Sequence, residues 1–267
     1  MEMSLMGLGL GAVVGLILAL AGAGGGILAV PLLVFGLHLT IMQAAPVGLI
    51  AVGAASGLGA ALGLREGIVR YRAAALIGIT GMLLAPVGVQ LARLIPNQPL
   101  MVAFSVVLGW VAWRNGTSAP LEAREAKIPC VVNPSMGRIL WTAPCAWALA
   151  GTGVVSGLLS GLLGVGGGFV IVPSLSRHTD LPVRSIFATS LAVIALVSIG
   201  GVAAAAWQGA IAWRIALPFT FGAMAALLAG RQLASRLAGA RLQQGFAVTS
   251  GAVAMLLLAR GLGWIVI

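Results

Sequence analysis

Charge is what this sequence has least of: only 7% of its 267 residues are charged, where a soluble domain needs roughly 25% to solvate its surface. A water-soluble globule is excluded. Acidic residues are rarer still, five against fifteen basic ones. All five (Glu2, Glu66, Glu122, Glu125 and Asp180) lie near termini or between apolar runs, which argues against proton pumping through an intramembrane carboxylate. The two cysteines, Cys130 and Cys145, have neither the number nor the spacing of a metal cage or a disulfide framework, and read as free thiols. The two histidines, His38 and His178, lie outside the apolar interiors. No base therefore partners Ser156 or Ser160, which argues against an intramembrane serine hydrolase. No phosphate-binding loop is present, which excludes ATP drive within this chain, and nothing calls for a metal or a cofactor.

What is present is apolar: 60% of the residues, with a mean hydropathy of +1.12. The net charge of +10 does not read as a nucleic-acid footprint, because the arginines stand singly at the ends of apolar segments, as topology-setting charges do. The apolar start ends in Ala19-Leu20-Ala21 but has no basic region before it, so it reads as a retained membrane segment.

Apolar runs fall at about 3–37, 40–64, 73–95, 98–114, 139–175, 185–208, 211–230 and 242–259. A span needs roughly 20 helical residues, so six of these are single spans, while 3–37 and 139–175 are too long for one. The polar stretch 114–138 separates 1–113 from 139–267, and the two sides repeat one another. Gly15 to Pro31 (GLILALAGAGGGILAVP) returns as Gly157 to Pro173 (GLLSGLLGVGGGFVIVP), and the same offset pairs Ser56 with Ser198, Arg72 with Arg214, Gln90 with Gln232 and Phe104 with Phe246. Basic residues follow the second segment of the first half (Arg65, Arg70, Arg72) but the first and third of the second half (Arg177, Arg184; Arg231, Arg236, Arg241). Under the positive-inside rule the halves then point in opposite directions; eight simple spans with parallel halves, which fit the first half and contradict the second, stand as the alternative. The expected fold is an all-α polytopic membrane protein of two homologous four-segment repeats, inverted, each opening with a Gly-broken re-entrant or hairpin helix.

Each overlong segment carries Gly-x-Gly-Gly-Gly, at Gly22–Gly26 and Gly164–Gly168, with proline five residues on. Adjacent glycines weaken a helix by roughly 1 kcal/mol each, and proline removes a donor. The helix is expected to break there and restart at Gly26 or Gly168, aiming free N–H groups and a positive dipole end at an anion. The outer glycines, Gly7, Gly11, Gly15 and Gly153, Gly157, Gly161, read as helix-packing positions. Isolated Ser and Thr read as bonded back to their own helix. Trp110, Trp113, Trp141, Trp147, Trp207 and Trp213 read as headgroup anchors.

The duplicated glycine element, with Ala188-Thr189-Ser190-Leu191 beyond Pro173 and the stretch Trp207-Gln-Gly209-x-x-x-Trp213, resembles the sulfite exporter TauE/SafE family of membrane permeases, which includes proteins like the 4-toluene sulfonate uptake permease. The resemblance covers nearly everything outside 114–138. It implies transport of a small anion, a sulfur oxyanion or organosulfonate such as sulfite, across the bacterial inner membrane. It also implies substrate-binding roles for Gly24, Gly25, Gly26, Pro31, Gly166, Gly167, Gly168, Pro173, Thr189 and Ser190. The first half departs from the pattern, carrying Val47 and Gly48 where Thr-Ser would fall. The expected partners are a small anion and the lipid bilayer, with self-association open. A membrane-embedded enzyme and a substrate-free assembly protein stand as the competing classes.

Overall fold

A computed structural model describes residues 2–117, 130, 132–133, 138–139, 141–237 and 240–262. Ten α-helices occur among them: α1 (Glu2–Ala21), α2 (Ala29–Gly36), α3 (Ile41–Arg65), α4 (Tyr71–Leu94), α5 (Asn97–Thr117), α6 (Ala143–Leu163), α7 (Gly168–His178), α8 (Val183–Trp207), α9 (Trp213–Leu237) and α10 (Ala240–Gly261). A two-residue antiparallel pair, β1 (Val132–Asn133) with β2 (Arg138–Ile139), lies before α6. Helices α3, α4, α6, α8 and α9 are each long and apolar enough to cross a membrane. Leu83, Phe221 and Met255 are among the large apolar side chains left on the outside, as lipid contact requires.

Local signals set the helix starts. Thr40 caps α3 in a reciprocal box with Gln43, and Thr142 caps α6 by accepting from the Cys145 amide, each satisfying donors that a helix start leaves bare. Helix directions follow from which glycines meet which backbones. Gly11 and Gly15 press against Phe219 and Ala223, so α1 and α9 run parallel; Gly153, Gly157 and Gly161 press against Ile77, Gly81 and Ala85, so α4 and α6 do too. Helices α3 and α8 run antiparallel, with Gly63 near Ala188 and Gly201 against Leu49, as do α5 and α10, with Gly109 near Ala254 and Gly261 near Met101. In the α1–α9 and α4–α6 contacts a missing side chain lets two backbones touch, the packing role expected of the outer glycines. A Gly157→Val variant would drive two methyls into the Gly81 backbone. We expect it to cost more than about 3 kcal/mol, in the range of severe overpacking, read as loss of monodisperse protein in detergent.

Helix α1 starts at one face, called here the N-face, and α2 returns towards it, with Gly25 against Ile17 and Gly36 against Leu10. Helix α6 starts at the other, the linker face, and α7 returns to it, with Gly167 against Ser156 and Ser174 bonded to Thr152. The loops after α3 and α7, with Arg70 and Arg177, and the end of α9, with Arg231, lie at the linker face, while Arg93, Arg214 and Arg260 lie at the N-face. The major helix contacts, α1 with α9, α4 with α6, α3 with α8 and α5 with α10, all cross between 1–113 and 139–267.

Three expectations change. First, Cys130 and Cys145 are bonded to each other, both fully buried. Their spacing along the chain said nothing of this, because Cys130 is brought to the start of α6 by its backbone bond to His178 O at the end of α7. Second, the first glycine run breaks the α-helix at Ala21 as expected, but through a 3-10 helix, Gly22–Leu28, so that α2 begins at Ala29, not Gly26. Third, helix α5 extends to Thr117, into the stretch read as linker; 118–129 lie outside the described residues.

Candidate functional site

The second glycine run interrupts its helix differently, through left-handed turns. Gly164, Gly166 and Gly167 have φ of 72°, 73° and 71°, a left-handed backbone that costs other residues roughly 1–2 kcal/mol each. Space demands glycine as well: a Cβ on Gly166 would lie 2.8 Å from Ile194 Cγ2, one on Gly164 would overlap Ala45, and one on Gly167 would overlap the Ser156 hydroxyl. The ladder of α7 opens with Val170 N and Ile171 N on Gly167 O. The amides of Gly168 and Phe169 therefore stand at the helix mouth, where the backbone supplies no carbonyl four residues back in the same helix.

The two glycine runs meet. A Cβ on Gly26 would lie 3.2 Å from Val165 O and 2.9 Å from Val52 Cγ1, and Val52 also faces Gly166. Gly25 is pressed on its own hairpin arm, where a Cβ would lie 2.8 Å from the Ile17 and Leu18 backbone, and Gly24 lies within the 3-10 turn. Pro31 is the third residue of α2, where its missing N–H is tolerated. Pro173 lies inside α7 and removes the donor that Phe169 O would otherwise use.

Six buried hydroxyls among the described residues have no hydrogen-bond partner: Thr220 on α9 and Ser250 on α10 are two, and the other four are those of Ser56, Ser160, Ser190 and Ser198. Three of these four lie outside the residues the resemblance marked. Ser56 and Ser198 are equivalent by the repeat, and Ser160 stands at the last turn of α6, its carbonyl holding Gly164 N at 2.8 Å. The only signal in the sequence was that Ser56 and Ser198 recur at the repeat offset. Elsewhere the back-bonding expectation holds: Thr80, Ser105 and Thr152 each donate to a carbonyl three or four residues before. Ser190 has Gly48 as its first-half counterpart, and a Cβ there would come 3.1 Å from Gly164 O. Close approach of the glycine run to α3 explains why that half carries no hydroxyl at this position.

Thr189 is engaged elsewhere. Its hydroxyl accepts the Arg70 amide at 3.0 Å, and Ser185 donates to Ile68 O at 2.7 Å, so the loop after α3 is tied onto α8 at the linker face. Arg231 adds a second tie, reaching Glu66 at 2.7 Å and Gly59 O at 3.3 Å. At the N-face a pocket of about 30 Å³, bordered by Met42, Pro46, Leu49, Arg93 and Gln208, reaches Gly164. These ties lie at the linker face, and the pocket that borders Gly164 lies at the N-face. Removing the Thr189 acceptor strands an amide at a cost of about 1–3 kcal/mol. We expect Thr189→Val to raise maleimide labelling of a cysteine at position 68 by roughly tenfold, measured in a chain without Cys130 and Cys145.

His178 is half-buried at the end of α7, its Nδ1 bonded to Ser174 O at 2.8 Å, where the sequence suggested a solvated loop. His38 is exposed, with a left-handed φ of 52°. No group of three metal-ligating side chains occurs among the described residues. Among the described residues, Glu66 follows the end of α3 and Asp180 lies between α7 and α8.

A bundle of apolar spans enclosing a glycine-interrupted helix defines a polytopic membrane protein, and the relatives it matches make it a membrane transporter. The family model for the sulfite exporter TauE/SafE matches residues 7–257, and the chain belongs to that family. It is similar to two proteins of Xylella fastidiosa named "Probable membrane transporter protein". One, from strain Temecula1, is 28% identical over 88% of this chain and 86% of that protein; the other, from strain 9a5c, is 29% identical over the same shares. A probable membrane transporter protein of Methanocaldococcus jannaschii is 53% identical over 18% of each chain. No solved structure matches.

Proposed function

We propose that this transporter is a secondary permease for a small anion, a sulfur oxyanion or organosulfonate such as sulfite, working by alternating access. The observation that carries the reading is the meeting of the two glycine runs at the centre of the bundle. The first turn of α7 begins at that meeting, and its amides, with the unpartnered hydroxyls of Ser160 on α6 and Ser190 on α8, are assigned as donors without a countercharge. Gly24, Gly25, Gly26 and Pro31 shape one wall of the site, and Gly166, Gly167, Gly168 and Pro173 the other. Thr189 belongs to the ties at the linker face. The family supports the choice of sulfur anion.

The opposite starting faces of α1 and α6 support reading 1–113 and 139–267 as inverted repeats, the arrangement from which alternating access arises by rocking about a fixed central site. The arginine-rich linker face is then cytoplasmic, and the pocket at the N-face lies on the side away from the cytoplasm. An inside-negative potential favours anion exit by about 2.3 kcal/mol per charge at 100 mV. The test is flux into proteoliposomes for sulfite, thiosulfate, sulfate, sulfonates and small carboxylates, with and without pH and sodium gradients. Saturable sulfite or sulfonate flux is expected; correctly folded protein that moves no anion would overturn the reading.

A further inference from the structure

The face assigned to the cytoplasm carries the bond between Cys130 and Cys145. Disulfides persist in oxidising compartments, whereas cytosolic thiols are kept reduced, and a cysteine pair there that can bond is characteristically redox-responsive. The pair is not part of the duplicated architecture, since the first-half counterpart of Cys145 is Met3. Its position joins both arms of the second hairpin. Cys145 lies in the first turn of α6, and Cys130 donates its amide to His178 O, 3.0 Å away, at the last residue of α7. The same end of α7 is bound back to α6 through Ser174 and Thr152. When the sulfurs are joined, the chain before α6 is covalently fixed to the hairpin whose other end forms the central site.

We infer that Cys130 and Cys145 are a reversible thiol–disulfide pair on the cytoplasmic face, reduced in resting cells, whose oxidation clamps the α6–α7 hairpin and slows transport. The inference rests on the orientation given above. A glutathione disulfide is the fitting co-reactant. One cysteine thiolate attacks it, forming a mixed disulfide and releasing one glutathione thiolate. The second cysteine attacks the protein sulfur of that mixed disulfide, forming the Cys130–Cys145 bond and releasing the other. Two electrons pass from the cysteines to glutathione. Both cysteines are buried, so exchange waits on local opening and is slower than at an exposed pair.

The first test is thiol trapping in intact cells by acid quenching followed by alkylation with a maleimide mass tag. Both cysteines should take the tag without added reductant, and both should lose it after diamide treatment until a reductant restores them. The second is flux in proteoliposomes equilibrated with reduced or oxidised glutathione. Flux should be several-fold faster in the reduced state, and a C130S/C145S variant should hold the fast rate in both. A pair found fully oxidised in resting cells, a linker face that labels from outside, or flux indifferent to the state of the pair would overturn the inference. If no anion moves under any condition the proposed permease function fails, while trapping by itself still decides whether the pair is reversible.

Discussion

Gly167→Ala should abolish anion flux while leaving the protein in the membrane. The residue has φ 71°, and a Cβ would overlap the Ser156 hydroxyl and lie 2.7 Å from Ser156 O. The backbone cost of roughly 1–2 kcal/mol is small against a fold held by ten helices. The displacement it forces falls on the residue that caps α7 and aims its first amides. Misplacing a binding constellation by about 1 Å costs on the order of 100-fold, and a loss of that size in initial flux is expected. The control is Gly151→Ala on α6, where nothing lies within 4 Å of an added Cβ. Alanine there favours the helix by about 1 kcal/mol, so flux should be unchanged and the Tm equal or higher.

The second large effect is expected at Ser160 and Ser190, and its sign separates binding from architecture. A buried hydroxyl with no partner burdens the fold by about 1–3 kcal/mol. If these serines were only structural, S160A and S190A would leave the protein as stable as before or more so, with flux intact. If each hydroxyl donates to a bound anion, each loss costs about 1.5–3 kcal/mol, roughly 10- to 100-fold in Kd. We expect a weaker Kd with an unchanged or raised Tm for each variant, and a larger loss for the pair. Isothermal titration and thermal unfolding of the same detergent samples read both quantities.

The architecture was open to sequence reasoning because membrane helices announce themselves by length and hydropathy, and because the offset joining Gly15–Pro31 to Gly157–Pro173 runs on through Ser56, Arg72 and Gln90. The packing glycines were legible for a similar reason: Gly153, Gly157 and Gly161 recur every four residues, one per helical turn. What could not be read was how each glycine run would resolve. Glycine permits a 3-10 turn and a left-handed turn almost equally, so composition alone does not distinguish Gly22–Gly26 from Gly164–Gly168. The choice is expressed in packing, with Gly164 pressed on Ala45 and Gly166 on Ile194.

Hydroxyl partners were hidden for another reason. A serine in a helix bonds its own turn or not depending on rotamer and neighbours, so Thr152 and Ser160, two turns apart on α6, end differently. Thr189 is the converse case. It sits in the stretch that resembles the family motif, yet its partner, the Arg70 amide, is 119 residues away in sequence. The disulfide likewise depended on the path that brings Cys130 beside the end of α7.

The claim on which the account turns is that an anion is held where the two glycine runs meet. Selenite has the shape and charge of sulfite and scatters anomalously, so crystals grown with it report the position of the bound anion directly. The account requires an anomalous peak within hydrogen-bonding distance of the Gly168 amide and the Ser160 hydroxyl, lost in the Gly167→Ala variant. A peak confined to the arginines at either face, with the meeting point of the glycine runs empty, would contradict it.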